Sequence, residues 1–194
     1  MSLRVKEIFY SLQGEGGRQG EASIFIRLAD CNLRCDFCDT DFTVKETMLL
    51  EQILEQISQY PCLWIVWTGG EPMLQLTDEI VLFFKEKGFL QAIESNGHYW
   101  LPENLDYKVI SPKGKSDYAK KINPQADEIR LPIQKGDIIP NQKSLPEARF
   151  YFLSPVFTDD KTTTKANIDY CVEQIKQHPE WCLSLQIHKL IGIE

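Results

Sequence analysis

A continuous run of apolar residues is the feature that most constrains the fold of this chain. The run is Leu63-Trp64-Ile65-Val66-Trp67, and the pair Gly69-Gly70 follows it. A strand that is apolar at every position must be covered on both faces, as in a parallel sheet packed between helices. The sequence therefore predicts an α/β fold with a largely parallel sheet.

Other predicted strands and helices alternate around this run. Apolar periodicity predicts helices over 47–60 and 164–177, and another that starts near Leu76 and ends before Gly88. Predicted strands cover 23–28, 90–94, 106–110, 127–131, 148–153 and 183–187, and 111–147 is predicted to hold loops and short strands. A complete eight-fold βα barrel takes about 250 residues. A chain of 194 residues therefore predicts a partial (incomplete) βα barrel, reduced in helices, in one domain over 1–194.

The unusual residues follow the predicted strand ends. Segments 30–40, 68–72, 95–97 and 111–113 each come directly after a predicted strand. In parallel α/β folds the carboxyl ends of the strands carry the chemistry. We therefore expect these four loops to build one site.

Charge and hydropathy exclude several classes of protein. The formal net charge is −7, which disfavours direct nucleic-acid binding. No apolar run approaches the length of a membrane span, and the first residues lack a signal-peptide pattern. We therefore expect a cytoplasmic protein without a membrane partner.

Three of the six cysteines lie within eight residues: Cys31, Cys35 and Cys38. Clustered cysteines in a cytosolic chain are more often metal ligands than disulfides. Their spacing admits an iron–sulfur cluster with one open iron, or a zinc ion with an acid or a histidine, His98 or His188, as fourth ligand. The other three, Cys62, Cys171 and Cys182, are predicted to be buried structural thiols.

The surroundings of the cysteines resemble a known superfamily. The pattern CxxxCxxC with Phe37 before the last cysteine, together with Thr68-Gly69-Gly70-Glu71-Pro72, resembles the signature of radical S-adenosylmethionine (SAM) enzymes. The segments 8–16 (IFYSLQGEG), 25–28 (FIRL), 38–40 (CDT) and 185–189 (LQIHK) are similar to the 7-carboxy-7-deazaguanine synthase family.

This resemblance implies a reaction and its cofactors. The family converts 6-carboxy-5,6,7,8-tetrahydropterin to 7-carboxy-7-deazaguanine with loss of ammonia, on the way to queuosine and other deazapurines. A [4Fe–4S] cluster and SAM would generate a 5′-deoxyadenosyl radical that takes hydrogen from C6 of the pterin, and Mg²⁺ would be a second metal. A flavodoxin or ferredoxin as reductase and a homodimer are implied partners, and the fold would be the partial barrel of the radical SAM type.

The resemblance also assigns residues, although no side chain is assigned as a catalytic acid or base. Cys31, Cys35 and Cys38 would hold the cluster, and Thr40 would bind Mg²⁺. The substrate would contact Leu12, Gln13, Gly14, Glu15, Arg27, Thr68, His188 and Glu194. SAM would contact Phe37, Cys38, Asp39, Gly69, Gly70, Glu71, Ser95, Asn96, Ser111, Pro112, Lys113, Ser154, Pro155, Val156 and Phe157, with Glu94 nearby.

Two positions depart from the family pattern. The family often has Gln-Pro where this chain has Ser154-Pro155, and many members end in proline where this chain ends in Glu194. Two other hypotheses remain on the sequence alone. One is a different radical SAM enzyme, such as a glycyl-radical activase, and the other is a zinc-binding structural module.

Overall fold

The computed structural model describes residues 1–38, 40–113 and 117–193. Within these residues it contains nine strands, β1 (Ser2–Leu12), β2 (Ala22–Leu28), β3 (Glu46–Leu49), β4 (Trp64–Gly69), β5 (Leu90–Ser95), β6 (Tyr107–Ile110), β7 (Gln125–Ile133), β8 (Glu147–Pro155) and β9 (Cys182–Leu183). The helices are α1 (Leu50–Ile57), α2 (Asp78–Glu86), α3 (Asp117–Ile122), α4 (Lys161–Gln177) and α5 (Ile187–Ile191). The chain divides into two compact units.

The first unit contains 1–12, 21–95 and 99–108. Its strand order is β3-β1-β2-β4-β5. Strand β1 pairs antiparallel with β2 and with β3, whereas β2-β4 and β4-β5 are parallel. The mixed pairing places an antiparallel ribbon beside the parallel strands that the sequence predicts.

Most of the apolar run belongs to β4, an interior strand of this unit, whereas its first residue, Leu63, precedes the strand and is exposed. Ile65, Val66 and Trp67 of β4 are completely buried. The Trp67 ring meets the Phe84 ring of α2 edge to face, with 5.3 Å between centroids. Its indole N–H donates to Gln91 Oε1 over 2.9 Å, so the polar atom of this large side chain has a partner. Burial on both faces explains why the run lacks alternation.

The second unit contains 13–20, 96–98 and the chain from 109 onward. Strand β6 begins in the first unit and ends in the second. The pairings β6-β7, β7-β8 and β8-β9 are all parallel. Helix α4 presents the fully buried Cys171 and the buried Asn167, whose side-chain N–H donates to the Val156 carbonyl over 2.8 Å.

Several predicted boundaries are wrong. Residues 46–49 form strand β3, so the helix predicted over 47–60 spans only Leu50–Ile57. The final predicted strand, 183–187, is the two-residue β9 followed by helix α5. The stretch 111–147 includes helix α3 and a long strand, β7. None of the helices that the structure describes is long and apolar enough to cross a bilayer.

Candidate active site

A strained turn carries the chain from β2 into the cysteine loop. Asp30 has a φ of 68°, a left-handed conformation that aspartate tolerates better than most residues. Its carboxylate accepts from Arg4 through Nε over 2.8 Å and lies 2.7 Å from a terminal guanidinium nitrogen. Its backbone N–H donates to the Phe42 carbonyl over 3.0 Å. The two ends of the cysteine loop are therefore joined at this turn.

The three clustered cysteines lie on this loop, and none of them forms a disulfide within the part of the chain that the structure describes. Cys31 and Cys35 are half-buried and Cys38 is exposed. The Cys38 N–H donates to the Cys35 carbonyl over 3.0 Å, and the Leu33 N–H approaches Cys31 Sγ to 3.4 Å. Burial raises the pKa of the Cys31 thiol, and the charges of Glu71, Cys35 and Cys38 act in the same direction. These electrostatic effects show that the three thiols share one neighbourhood.

The donor set suits an iron–sulfur cluster because cysteine thiolates are the usual ligands of such clusters. The Leu33 N–H is the kind of donor that stabilises a thiolate. Among the residues that the structure describes, no three His, Cys, Asp or Glu side chains are close enough together to hold a metal ion.

The glycine loop after β4 lies directly against the base of the cysteine loop. The Gly70 N–H donates to the Leu28 carbonyl over 3.2 Å, and the Glu71 N–H donates to the Asp30 carbonyl over 2.9 Å. A Cβ at Gly70 would lie 1.8 Å from the Asp30 carbonyl oxygen and 3.0 Å from Cys31 Cβ. Only glycine permits this approach, so the two predicted motifs are neighbours in space.

Glu71 is a fully buried carboxylate within this loop. Its Oε1 accepts from the Ser95 hydroxyl over 2.9 Å and from the Met73 N–H over 3.1 Å. Ser95 ends strand β5 and is itself buried. The predicted SAM residues Gly69, Gly70, Glu71 and Ser95 therefore lie together at the carboxyl ends of β4 and β5.

A row of side chains crosses the sheet near the same strand ends. Arg27 pairs with Glu7 of β1 on one side and with Thr68 of β4 on the other. Arg27 Nε donates to Glu7 Oε1 over 2.6 Å, and its guanidinium lies 5.6 Å from the Phe9 ring centroid. Glu7 therefore holds one edge of the guanidinium. The NH1 and NH2 edge is the part that can take a substrate carboxylate in a bidentate manner.

Three further predicted site residues of the first unit, Leu12, Phe37 and Thr40, are half-buried or exposed. Thr40 is half-buried, and its carbonyl is 3.9 Å from Cys38 Sγ. The next residue, Asp41, accepts from Lys6 Nζ over 2.5 Å, and this contact lowers the pKa of Asp41 to about 2. Phe37 is half-buried and Leu12 is exposed.

In the second unit, the LQGEG motif lies against the C-terminal helix. A Cβ at Gly14 would lie 2.0 Å from Nδ1 of His188. The Gly14 carbonyl accepts from the Ile187 N–H over 3.0 Å, and the buried side chain of Gln13 accepts from the Glu15 N–H over 3.2 Å. Two sequence-distant substrate predictions, Gly14 and His188, are thus in contact.

Glu15 belongs to a network of charged groups in the second unit. Its Oε2 lies 2.8 Å from Arg130 NH1, and its Oε1 accepts from the Ser154 hydroxyl over 3.1 Å. Arg130 also donates to Glu128 Oε1 through Nε over 2.8 Å. Sequence reasoning missed Glu128 and Arg130. The available signal was two opposite charges two residues apart, hence on one face of strand β7.

The predicted SAM residue Asn96 and the predicted SAM segment 111–113 also meet in the second unit. The Tyr118 hydroxyl donates to the Asn96 carbonyl over 3.0 Å and accepts from the Lys113 N–H over 3.2 Å. Lys113 Nζ donates to the Ser111 hydroxyl over 2.7 Å. His98 stacks on the Tyr118 ring with 3.9 Å between centroids. Tyr118 therefore links the two loops. Pro112, between Ser111 and Lys113 in the second loop, is buried.

The segment 154–157 ends strand β8. Ser154, Pro155 and Val156 are buried, and Phe157 is half-buried. The Phe157 ring centroid lies 5.7 Å from Lys189 Nζ of α5. The predicted SAM segment therefore adjoins the helix that carries His188.

Two predicted site residues, Asp39 and Glu194, lie outside the residues that the structure describes.

The prediction for the isolated cysteines was right only in part. Cys171 is buried, and its burial raises its pKa to about 12. Cys62 is half-buried. Cys182 is exposed, because it lies on the short strand β9 and its side chain faces outward.

Comparison with known proteins gives a consistent result, although no family model matches the chain. A 7-carboxy-7-deazaguanine synthase of Bacteroides thetaiotaomicron is 38% identical over 193 residues, which cover 100% of both chains. The enzyme of that name from Haemophilus influenzae is 38% identical over 100% of this chain and 95% of its own. The one from Bordetella pertussis is 35% identical over 100% of both.

A solved structure supports the fold. The crystal structure of QueE from Escherichia coli matches with a TM-score of 0.73, covering 95% of this chain and 94% of that chain at 23% identity. The match confirms the predicted α/β partial βα barrel of the radical SAM type, with its open and mostly parallel strand order. Given the full-length identities of 35–38%, the chain belongs to the 7-carboxy-7-deazaguanine synthase family.

Proposed function

We propose that this chain is a radical SAM lyase that converts 6-carboxy-5,6,7,8-tetrahydropterin into 7-carboxy-7-deazaguanine, with loss of ammonia. The product leads to queuosine and other deazapurines. The observation that carries the proposal is the contact between the two signature loops. The Glu71 N–H donates to the carbonyl of Asp30, the residue directly before Cys31. Any ligand held by the cysteines therefore lies next to the glycine loop.

Cys31, Cys35 and Cys38 are the ligands that we assign to a [4Fe–4S] cluster. When bound, the cluster and SAM supply a 5′-deoxyadenosyl radical that takes hydrogen from C6 of the substrate. The chain's own contribution is placement. Gly70 keeps the loop backbone close to the cysteine turn, and the buried Glu71, oriented by Ser95, offers negative charge to the ammonium group of SAM.

The further SAM contacts come from Phe37, Asp39, Gly69, Asn96 and the segments 111–113 and 154–157. Tyr118 supports this assignment for two of the segments, because it hydrogen-bonds both Asn96 and Lys113. The Ser154 hydroxyl already donates to Glu15. A SAM contact at this position would therefore come from the backbone, in line with the departure from the usual glutamine.

Arg27 is the residue that we assign to the substrate carboxylate. Glu7 holds the Nε edge, so the guanidinium presents its remaining edge in a fixed direction. Thr68 lies beside it in register and adds a hydroxyl. Leu12, Gln13, Gly14, Glu15, His188 and the terminal Glu194 complete the proposed substrate contacts.

Mg²⁺ is proposed as a second metal, with the Thr40 hydroxyl as a ligand. Hard oxygen donors suit this ion, which commonly keeps several waters and substrate oxygens. The salt bridge from Lys6 to Asp41 anchors the loop one residue further on. The loop would therefore be anchored at the residue directly after Thr40.

Several properties of the working enzyme are also proposed. The chain would act as a single radical SAM domain over 1–194 and as a homodimer, with a flavodoxin or ferredoxin as electron donor. A cytoplasmic location would keep the cysteine thiols reduced and available to the cluster.

The test is an anaerobic assay of the reconstituted protein with SAM, dithionite, Mg²⁺ and carboxytetrahydropterin, followed by mass spectrometry. Formation of carboxydeazaguanine is expected. SAM cleavage without that product would keep a radical SAM activity and reject this substrate, as expected of a glycyl-radical activase. A colourless protein that retains zinc would reject both.

A matched pair of variants tests the clamp within the same assay. Arg27→Gln should raise KM for the pterin at least about tenfold, because a hydrogen-bonded charge pair is lost. Lys165→Gln removes an exposed cation of α4 that pairs with Asp169, and should leave KM unchanged. Equal KM values for the two variants would contradict the role of Arg27.

A further inference from the structure

Glu15 is held by a set of buried groups that no assignment above explains. The Arg130 side chain is only 7% exposed and that of Glu128 only 1%. Ser154 is also buried. Burying an arginine and a carboxylate is costly unless every charge has partners, and Glu15, whose side chain is 17% exposed, supplies one of those partners. A chain that keeps such a network has a structural or a functional reason for it.

The contacts divide the Arg130 guanidinium between two carboxylates. NH1 reaches Glu15 Oε2 over 2.8 Å, whereas Nε and NH2 reach Glu128 Oε1 over 2.8 and 2.7 Å. Glu128 thus anchors one edge of the planar fork and aims the other at Glu15. The second oxygen of Glu15 accepts from Ser154 over 3.1 Å. Both Glu15 oxygens are therefore fixed in position.

The same network fixes the backbone after Glu15. Glu128 Oε2 accepts from the Gly17 N–H over 2.9 Å, and the Gly16 N–H donates to the buried Ser184 hydroxyl over 2.9 Å. Gly16 has a φ of 71°, and a Cβ there would lie 2.1 Å from Glu128 Oε1. The LQGEG loop is therefore fixed both through its backbone and through its glutamate.

We propose that Arg130, anchored by Glu128, and Ser154 are positioning residues that orient the Glu15 carboxylate toward the pterin substrate. This inference rests on the proposed function. A pterin edge carries amino and ring N–H donors, and a carboxylate with one defined orientation can accept from them without losing rotamer freedom on binding. The positioning residues act through Glu15 and need no contact with substrate.

Arg130→Met is the first test variant, and Arg149→Met is its control. Arg149 lies on the neighbouring strand β8 and is exposed. Arg130→Met should raise KM for carboxytetrahydropterin at least about tenfold, with a smaller change in kcat, because a charge-assisted hydrogen bond to Glu15 is lost. SAM cleavage without pterin should stay unchanged. Arg149→Met should leave KM as in the parent.

Ser154→Ala is a milder change that keeps the test valid if Arg130→Met does not fold. It removes one neutral donor from Glu15 and should raise the pterin KM about three- to tenfold. Arg130→Lys keeps the charge but not the fork. Its KM should lie between the parent and Arg130→Met.

A double variant separates positioning from simple stabilisation. Replacing a buried ion pair with apolar residues of similar size commonly preserves the fold. Glu128→Leu combined with Arg130→Met should therefore restore thermal stability relative to Arg130→Met alone, while the raised KM persists. Recovery of KM together with stability would overturn the positioning role.

The outcome also separates this inference from the proposed function. If the parent protein makes no carboxydeazaguanine, the proposed function falls and the inference with it. If the parent turns over and the Arg130 and Ser154 variants keep the parental KM, only the positioning role is overturned.

Discussion

The hydrogen bond between Ser95 and Glu71 gives a quantitative prediction for the glycine loop. The Glu71 side chain is fully buried and Ser95 is 2% exposed. The Ser95 hydroxyl donates to Glu71 Oε1 over 2.9 Å, and the Met73 N–H donates to the same oxygen. In Ser95→Ala the carboxylate loses one of these donors at a place that water does not readily reach.

The expected loss follows from the charge of the acceptor. A hydrogen bond to a charged group contributes about 1.5–3 kcal/mol, about twice the value for a neutral pair. Ser95→Ala should therefore lower the free energy of unfolding by about 1.5–3 kcal/mol. Ser58→Ala is the control, because its hydroxyl donates to the Leu54 carbonyl at an exposed helix end. A change within about 0.5 kcal/mol is expected there.

The assay is anaerobic urea unfolding followed by tryptophan fluorescence, which reports on the buried Trp67. Linear extrapolation gives the free energy in water. A cycle with Glu71→Leu, which removes the acceptor, isolates the pairwise term, and the coupling should exceed about 0.5 kcal/mol. An additive cycle, or a loss for Ser95→Ala no larger than for Ser58→Ala, would contradict a stabilising hydrogen bond between Ser95 and Glu71.

Three further predictions concern the cysteines, the glycine loop and helix α4. Cys38→Ala should abolish cluster uptake on anaerobic reconstitution, measured as bound iron and sulfide, whereas the exposed Cys182→Ala should leave it intact. Gly70→Ala should weaken SAM binding at least about tenfold, because its Cβ would displace the cysteine turn. Calorimetric titration measures this, and Gly88→Ala, whose Cβ meets open space, should bind SAM normally. Asp160 caps α4, and hydrogen bonds chiefly from a threonine hydroxyl and two backbone N–H groups lower its pKa. Its stabilisation is therefore present above the unfolded-state pKa near 3.9 and is lost as the pH falls through the lowered value. The melting temperature of Asp160→Asn should depend less on pH in that range, and an unchanged dependence would contradict the cap.

The C-terminal segment shows where a sequence pattern fails. Residues 183–187 alternate in polarity, which favours a strand. Cys182 and Leu183 pair with β8, and the Ser184 N–H donates to the Leu153 carbonyl, whereas the Ile187 N–H donates to the Gly14 carbonyl. A strand needs a neighbour to pair with, and local alternation contains no information about that neighbour. Helix α5 begins at this point because the tertiary contact diverts the chain.

The amino-acid sequence alone predicts the class of fold and the loops that carry the candidate ligands. The apolar run before Gly70 predicts a buried parallel strand, and the three clustered cysteines predict the metal ligands. Both inferences rest on residue types at short spacing, so they can be made without a three-dimensional structure.

The partners of the Glu15 carboxylate could be found only from the packing of the folded chain. Its partner Arg130 lies 115 residues away along the chain. In the sequence, Glu128 and Arg130 resemble the ordinary polar face of a strand. In the structure, both side chains contact the segment that carries Glu15. The reason is physical. A local pattern specifies which face of a strand is polar, whereas the partner of a buried charge is specified only by the packing of segments distant in sequence.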